Sequence, residues 1–246
     1  MPVTRPRHWL RWLLLAAGVL VVLAVAGPFI YIHFVNGTAP AALSLSSGSP
    51  SPSSPATSSP AGTTAANTAA DGAIGGTWIV GSGSVVGYRV NEVLLGQNAT
   101  AVGRTTSVTG QLSIAGTRLT AATFSVPMAT VHSDKSQRDA QFDGRIMDVS
   151  QYPTGTFTLT SPIDLAPRPA TGVIRGYTAH GRLTLHGTTR AVTVTLTAER
   201  KGAQIEVAGD IPVLFADYGI QNPSFAGFVT TQDHGLLEFL LIFTKA

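Results

Sequence analysis

The side chains best suited to chemistry in this sequence are its histidines and the acidic and hydroxyl residues beside them. His132 is followed by Ser133 and Asp134, and His180 and His186 share one predicted strand. Adjacent residues of an extended chain point to opposite faces, so Ser133 and His132 do not form a nucleophile and its base. The histidines also lack a recognised metal-ligand spacing. We therefore expect surface histidines, with no catalytic residue and no metal site.

A charged segment at residues 134–147 is the one stretch that breaks the strand pattern. Asp134 is a candidate N-cap for a helix of two or three turns, in which Phe142 and Ile146 share one face at a spacing of four. We expect local ion pairs around this helix, namely Arg138 with Asp139 and Asp143 with Arg145.

The elements that position these residues are short strands, and the clearest is a hairpin at residues 180–196. Its first arm alternates Leu183 and Leu185 with polar residues, and its second arm alternates Val192, Val194 and Leu196 with threonines. A short loop of Gly187, Thr188 and Thr189 joins the arms, because glycine adopts positive φ readily.

Similar alternation recurs across the last two thirds of the chain. It predicts short strands around Val86–Val90, Leu112–Ile114, Phe124–Met128, Phe157–Leu159, Ile205–Val207 and Leu236–Phe243. In the last strand Glu238 faces outward, whereas Leu237, Phe239, Leu241 and Phe243 face inward. Regular short strands with glycine-bearing turns favour an antiparallel sandwich or barrel.

Composition narrows the classes of function. The chain has no cysteine, which excludes thiol catalysis and disulfide stapling. Its net charge of +3 is accounted for by Arg5, Arg7 and Arg11, which precede the first carboxylate, Asp71. The remaining charges are interspersed, so we expect no nucleic-acid partner.

The N-terminal region predicts a membrane anchor. Residues 12–35 carry no formal charge and would form a helix of about 36 Å, long enough to cross a bilayer. Arginines precede this span, so the positive-inside rule places residues 1–11 in the cytoplasm and the rest outside, in the periplasm or at the cell surface. A cleaved signal peptide ending near Ala24–Ala26 is the alternative.

The anchor is followed by a Ser/Thr/Pro/Ala-rich linker at residues 36–76, which has almost nothing to bury. As a flexible chain it would span about 35 Å on average. The remaining residues, 77–246, form one domain large enough to be stable without disulfides.

Several features of that domain, taken in order, resemble the YceI-like, polyisoprenoid-binding family of bacteria. They are Trp78 with Val85–Val90, the segment Ser133–Asp139, Met147-Asp148, Tyr152-Pro153 with Phe157, the hairpin G-R-L-T-L-H-G-T-T-R-A-V, Asp217–Ile220 and an apolar last strand. The resemblance implies an all-β fold, an extended lipocalin-like antiparallel β-barrel with one short helix. It also implies a periplasmic or secreted location and, in many members, a homodimer.

The resemblance further implies an apolar tunnel that binds an isoprenoid quinone, a polyprenyl chain or another long amphiphilic lipid, with no cofactor besides that ligand. Alternation then predicts which residues line the tunnel, and a register error of one residue would turn a strand's set outward. The predicted ligand-binding residues are Phe124, Val126, Met128, Phe142, Ile146, Phe157, Leu159, Leu183, Leu185, Val194, Phe215, Phe239 and Leu241.

Two other functions remain open from the sequence. The first is an enzyme that acts on a lipid or quinone head group through His132, His180 or His186. The second is a structural surface domain with a filled core, which would have no cavity. Periodicity alone does not separate a filled barrel from one that holds a ligand.

Overall fold

The computed structural model describes residues 39–45, 74–94, 96–224 and 229–246. The predicted cytoplasmic residues 1–11, the anchor 12–35, the alternative cleavage site and most of the linker lie outside the described residues. Within the part of the chain that is described, no helix is both long enough and apolar enough to span a membrane.

Thirteen strands make up most of the described structure. They are β1 (Gly76–Val80), β2 (Val85–Leu94), β3 (Gln97–Thr105), β4 (Thr109–Ala115), β5 (Arg118–Pro127), β6 (His132–Ser133), β7 (Thr154–Leu159), β8 (Ile163–Asp164), β9 (Arg175–Leu185), β10 (Thr188–Lys201), β11 (Gln204–Leu214), β12 (Val229–Thr231) and β13 (His234–Lys245). The short helices are 3₁₀-helix Met128–Thr130, α1 (Ser136–Gln141), π-helix Phe142–Ile146 and 3₁₀-helix Phe215–Tyr218.

The strands form a closed antiparallel barrel. Eight of them follow one another around the ring in the order β1, β4, β5, β7, β9, β10, β11 and β13. Trp78 pairs with Lys245 and Val80 with Phe243, so β13 returns to β1 and closes the ring. The N-terminal half of β13 pairs instead with β2, which continues the wall into β3 and β6. The all-β barrel with one short α-helix that the sequence predicts is confirmed.

The central hairpin explains why this sequence forms such a wall. In β9, Leu183 and Leu185 are buried inside the barrel, whereas His180 and Arg182 are exposed outside. Burying the apolar face of each strand stabilises the fold by about 25 cal/mol for each Å² of apolar surface removed from water. The same alternation continues along β10, where Val194 is buried between exposed threonines.

The loop of this hairpin differs from the prediction. His186 and Gly187 form the turn, with φ angles of 47° and 72°, whereas Thr188 and Thr189 already belong to β10. Two consecutive positive φ angles suit a two-residue hairpin, because they match the twist of the flanking strands. His186 is therefore a turn residue, and it does not continue the row of His180.

The predicted N-cap is also wrong. The helix begins at Ser136, after Lys135 at the N-cap position, and no side chain caps it. The Asp134 carboxylate lies 2.5 Å from Nη1 of Arg138 instead, one helical turn away. The backbone then widens into the π-helix, and Phe142 is buried against Tyr88, with ring centroids 5.2 Å apart.

A short piece of the predicted linker packs on the outside of the barrel. This piece, which we call the strap, is Ala39–Leu45. Leu45 is 9% exposed, and the carbonyl oxygens of Pro40 and Ala41 accept hydrogen bonds from Arg89 and Arg104. The prediction of an unpacked linker therefore fails for these seven residues.

Candidate functional site

The interior of the barrel contains a cavity of about 350 Å³. This volume lies within the range of small-molecule sites, roughly 300–1,000 Å³. Its wall includes every lining residue that the sequence predicts: Phe124, Val126, Met128, Phe142, Ile146, Phe157, Leu159, Leu183, Leu185, Val194, Phe215, Phe239 and Leu241. That these side chains contact a ligand stays a prediction. The filled-core alternative expects no cavity, and the structure has one.

The structure adds wall residues that the sequence reasoning left out. They include Tyr88, Leu112, Ala179, Leu196, Val207, Ile211 and Leu237. Alternation in β11 and β13 carried the signal for Val207 and Leu237. Alternation with Gly87 and Arg89 likewise carried the signal for Tyr88, whereas Ala179 gave only a weak one, because alanine is common on either face of a strand.

The aromatic side chains of the wall lie across glycines of neighbouring strands. Tyr88 pairs directly with Gly103, and a Cβ atom at Gly103 would lie 2.3 Å from the Tyr88 ring. The same close approach joins Phe239 to Gly209, its cross-strand partner. A ring that occupies the space of a missing side chain lies along the wall and does not fill the lumen. The sequence analysis did not predict that the rings lie over glycines, although glycines at inward-facing strand positions were a signal for such close contacts.

Polar side chains reach the cavity at the end covered by α1 and the π-helix. Glu92 of β2 and Arg138 of α1 both line it, with Nη2 of Arg138 3.6 Å from Oε1 of Glu92. Burial raises the pKa of the Glu92 carboxyl above its ordinary value, and the opposing effect of Arg138 is smaller. Burial also raises the pKa of the neighbouring Tyr88 phenol to about 12. We call this end, defined by Tyr88, Glu92 and Arg138, the polar mouth.

Beside the polar mouth lies a polar groove. Glu92 and Arg138 belong to both the groove and the cavity, and Thr230, Gln232 and the strap residue Ala39 are among the other residues that line the groove. Polar groups thus continue from the mouth of the cavity to the protein surface.

The expected charge pairs around α1 are replaced by longer-range contacts. Arg138 pairs with Asp134 and Glu92, and it does not pair with Asp139. Arg145 bonds the Gln141 side chain and the Pro223 carbonyl. Its predicted partner has a buried oxygen without a hydrogen bond, Oδ1 of Asp143.

His132, Ser133 and Asp139 come together, but without the geometry of a catalytic triad. The Ser133 hydroxyl donates to Oδ1 of Asp139 at 2.7 Å, and Nδ1 of His132 lies 3.4 Å from Oδ2 of the same carboxylate. A triad needs the serine bonded to the histidine, with the carboxylate behind it. Here the serine and the histidine both contact one carboxylate, and no hydrogen bond joins the serine hydroxyl to the imidazole.

The other three histidines among the described residues, His180, His186 and His234, are not part of the cavity wall. His180 is on the outer face, with Nδ1 3.2 Å from the Thr193 hydroxyl oxygen. His186 packs edge-on against Tyr152 and contacts the Tyr218 carbonyl through Nδ1. No cluster of three or more potential metal ligands occurs among the residues that the structure describes.

A closed antiparallel barrel with an apolar interior and a polar mouth belongs to the lipocalin-like class of architectures. Residues 79–243 match the sequence model of the YceI-like domain. The chain therefore belongs to the YceI-like domain family, as its motifs predict.

Several solved structures are similar to this chain to different degrees. The chain resembles a polyisoprenoid-binding domain from Saccharophagus degradans implicated in plant cell wall breakdown, with 18% identity, 70% of this chain and 99% of that chain covered, and a TM-score of 0.58. BcnA of Burkholderia cenocepacia matches at 21% identity, over 63% and 95% of the two chains, with a TM-score of 0.49. A Campylobacter jejuni YceI protein matches at 11% identity, over 55% and 82%, with a TM-score of 0.43. No curated protein matches the chain.

Proposed function

We propose that this protein is a membrane-anchored, extracytoplasmic binding protein for an isoprenoid or another long amphiphilic lipid. The observation that carries the proposal is the apolar cavity inside the barrel. The polyisoprenoid-binding domain from Saccharophagus degradans, which has the same fold, agrees in its ligand class.

The chemistry of the wall favours an apolar chain as the buried part of the ligand. Burying each methylene-sized group contributes about 0.8 kcal/mol, so a tail of ten such groups contributes about 8 kcal/mol before the costs of binding. This interaction is not directional and needs no catalytic group. The ligand's tail lies among Leu183, Val194 and Phe239.

The polar mouth accommodates the ligand's head group. Arg138 supplies hydrogen-bond donors, and Glu92 accepts hydrogen bonds when it is ionised and donates one when it is protonated. A hydroxyl or carbonyl group at the end of an apolar chain would find a partner in either state. The head group therefore lies near Arg138, with the tail extending into the barrel.

The location outside the cytoplasm is supported by sequence. Residues 12–35 form an uncharged apolar run preceded by Arg5, Arg7 and Arg11. A lipid-binding barrel that stays attached to the membrane has its ligand's source within reach.

A matched pair of substitutions on β9 tests the ligand site. Ala179 is 3% exposed and lines the cavity, whereas its neighbour Thr178 is exposed on the outer face. We expect Ala179→Leu to reduce lipid binding about tenfold, because the added carbons displace about two methylene groups of ligand. Thr178→Leu adds an apolar side chain on the opposite face and leaves binding unchanged.

Native mass spectrometry of the full chain, extracted from its own membranes, measures the co-purifying lipid. A polyprenyl or long-chain amphiphile in the wild type and in Thr178→Leu, but depleted in Ala179→Leu, supports the proposal. An empty wild-type protein that also rejects added isoprenoid quinone would overturn it, as would equal loading of all three proteins.

A further inference from the structure

The strap occupies a defined position on the outer face of β2, β3 and β13. Nη2 of Arg89 donates to the Pro40 carbonyl at 2.7 Å, and Nη2 of Arg104 donates to the Ala41 carbonyl. Leu45 is buried, and Leu43 is half-buried. Two hydrogen bonds to main-chain carbonyls and one buried leucine thus hold this segment against the barrel, although its composition alone predicts an unpacked linker.

The arginines that hold the strap are themselves fixed by a buried carboxylate. Glu238 has a side-chain exposure of 5%, and its oxygens lie 2.5 Å from Nε of Arg89 and 3.4 Å from Nη2 of Arg104. Gly87 separates Glu238 from Arg104 in the cross-strand row and has no side chain to keep them apart. The carboxylate orients both guanidinium groups, so that each has donors left for a carbonyl of the strap.

The direction of the strap follows from these contacts. Ala39 and Pro40 line the polar groove, together with Glu92 and Arg138 of the polar mouth. The next residue, Ala41, contacts Arg104. Along β2, Arg89 lies three residues from Glu92, whereas Gly87, the cross-strand partner of Arg104, lies five residues from it. The strap therefore begins at the polar mouth and runs away from it along the outer wall.

The short connection between the predicted span and the strap limits how the barrel can be oriented relative to the membrane. The predicted span ends at Val35, so four Cα–Cα steps separate it from Ala39. Four steps of extended chain reach about 14 Å at most, at 3.3–3.6 Å per residue. Without the strap, the same span would connect to β1 through residues 36–75, whose average reach is about 35 Å.

We propose that the docked strap orients the barrel so that its polar mouth faces the membrane. The start of the strap, at Ala39, then lies within about 14 Å of the end of the predicted span. The inference rests on the proposed anchor, and it specifies which end of the barrel a membrane lipid meets first. The head-group site at Glu92 and Arg138 faces the lipid source, and the opposite end, at the β10–β11 turn, faces away.

A matched pair of strap variants tests the docking. Leu45→Asp places a charge in a buried apolar position and releases the strap, while Glu238, Arg89 and Arg104 remain intact. Ser44→Asp adds the same charge at the adjacent exposed residue and leaves the strap docked.

The first measurement reads docking without a membrane. The chain has no cysteine, so spin labels attach only where cysteines are introduced, at Ala42 on the strap and Thr193 on β10, both exposed. Pulsed electron paramagnetic resonance on the detergent-solubilised full chain measures the distance between the two spin labels. We expect one narrow distance distribution for the wild type and Ser44→Asp, and a broad distribution for Leu45→Asp. A broad distribution in the wild type would overturn the strap.

The second measurement reads orientation in vesicles of phosphatidylcholine and phosphatidylglycerol that contain an acceptor-labelled lipid. A donor fluorophore is attached to Gln232→Cys, near the mouth, or to Ala203→Cys, at the β10–β11 turn. We expect at least about twofold stronger energy transfer from residue 232, because the length of β13, about 40 Å, separates the two ends. Leu45→Asp should remove this difference, and Ser44→Asp should retain it.

Each remaining outcome has a definite meaning. Suppose that the spin-label distance is narrow but energy transfer is equal from the two sites, or stronger from residue 203. This result would overturn the proposed orientation, and it would not affect the proposal of lipid binding, which native mass spectrometry tests separately. A docked chain that does not remain with the vesicles would overturn the proposed anchor, and the orientation with it.

Discussion

Two glutamates on neighbouring strands, one buried and one half-buried, show how differently the two faces of this barrel use a carboxylate. Glu238 of β13 lies on the outer face, in contact with two arginines and beneath the strap. Glu92 of β2 lines the cavity, where a single arginine lies 3.6 Å from it. The exposed fraction of the side chain is 5% for Glu238 and 12% for Glu92.

The number of partners separates their roles. Two close guanidinium groups compensate the cost of desolvating Glu238, so this carboxylate can stabilise the packing of β13 against β2 and β3. Glu92 is less well compensated, and burial raises the pKa of its carboxyl. Incomplete compensation costs stability, and it also leaves a polar group available to a ligand. The outer glutamate therefore stabilises the wall, whereas the inner one serves the mouth.

The largest effect is expected from removing the outer carboxylate. Glu238→Ala leaves Arg89 and Arg104 without their shared partner and should lower the free energy of unfolding by about 2–3 kcal/mol. Glu238→Gln keeps one oxygen acceptor and should cost about half as much. Urea denaturation of the full chain measures both, through the midpoint at constant slope. Midpoints equal to that of the wild type would contradict a stabilising role.

The sequence predicts the inner face of the barrel better than the outer face. Leu183, Leu185 and Val194 could be placed on the wall because alternation within one strand is a local property. The same alternation correctly turned Glu238 outward, but its burial depends on Arg89, Arg104 and the strap, which are far from it in sequence. Periodicity contains no information about what packs on the outside of a sheet.

The same limit explains the errors at the polar mouth. Sequence spacing predicts that Arg138 pairs with its neighbour Asp139, yet it pairs with Glu92, which precedes it by 46 residues and belongs to β2. Similarly, Asp134 was suited to an N-cap by type, but its ion pair with Arg138 satisfies it instead. Local rules identified the polar residues of the site and did not identify their partners.

A smaller, pH-dependent effect is expected at the inner carboxylate. Because the pKa of Glu92 is raised in the folded state, the fold binds a proton that the unfolded chain has released, and stability falls as pH rises through this interval. Glu92→Gln has no such proton. Its free energy of unfolding, relative to the wild type, should therefore rise as the pH increases above about 4.5, the ordinary pKa of a glutamate carboxyl.

Denaturation curves at several pH values measure this trend. Asp217→Asn, which removes an exposed carboxyl outside the cavity, is the matched control. If Glu92→Gln instead lost stability relative to the wild type as the pH rose, Arg138 would compensate Glu92 as fully as the outer arginines compensate Glu238. The distinction between the two glutamates would then fail.

The smallest effect tests whether a neighbouring charge contributes to the state of Glu92. The Asp134 carboxylate raises the pKa of Glu92 by repulsion and also binds Arg138. Asp134→Asn removes the repulsion and frees Arg138 for Glu92, so both changes lower the pKa of Glu92. Stability should change by only a few tenths of a kcal/mol, about 0.2–0.5, because Asp134 is half exposed.

Carboxyl-carbon NMR of the full chain, with the Glu92 signal assigned by Glu92→Gln, follows this titration directly. Asp233→Asn, at an exposed carboxylate bonded to His234, is the control and should leave the Glu92 midpoint in place. A lower midpoint in Asp134→Asn alone would show that the mouth is tuned from the protein surface, since Asp134 lines the polar groove and not the cavity. An unchanged midpoint would mean that burial and Arg138 set the proton affinity of Glu92 without a contribution from Asp134, and a higher midpoint would contradict the repulsion between the two carboxylates.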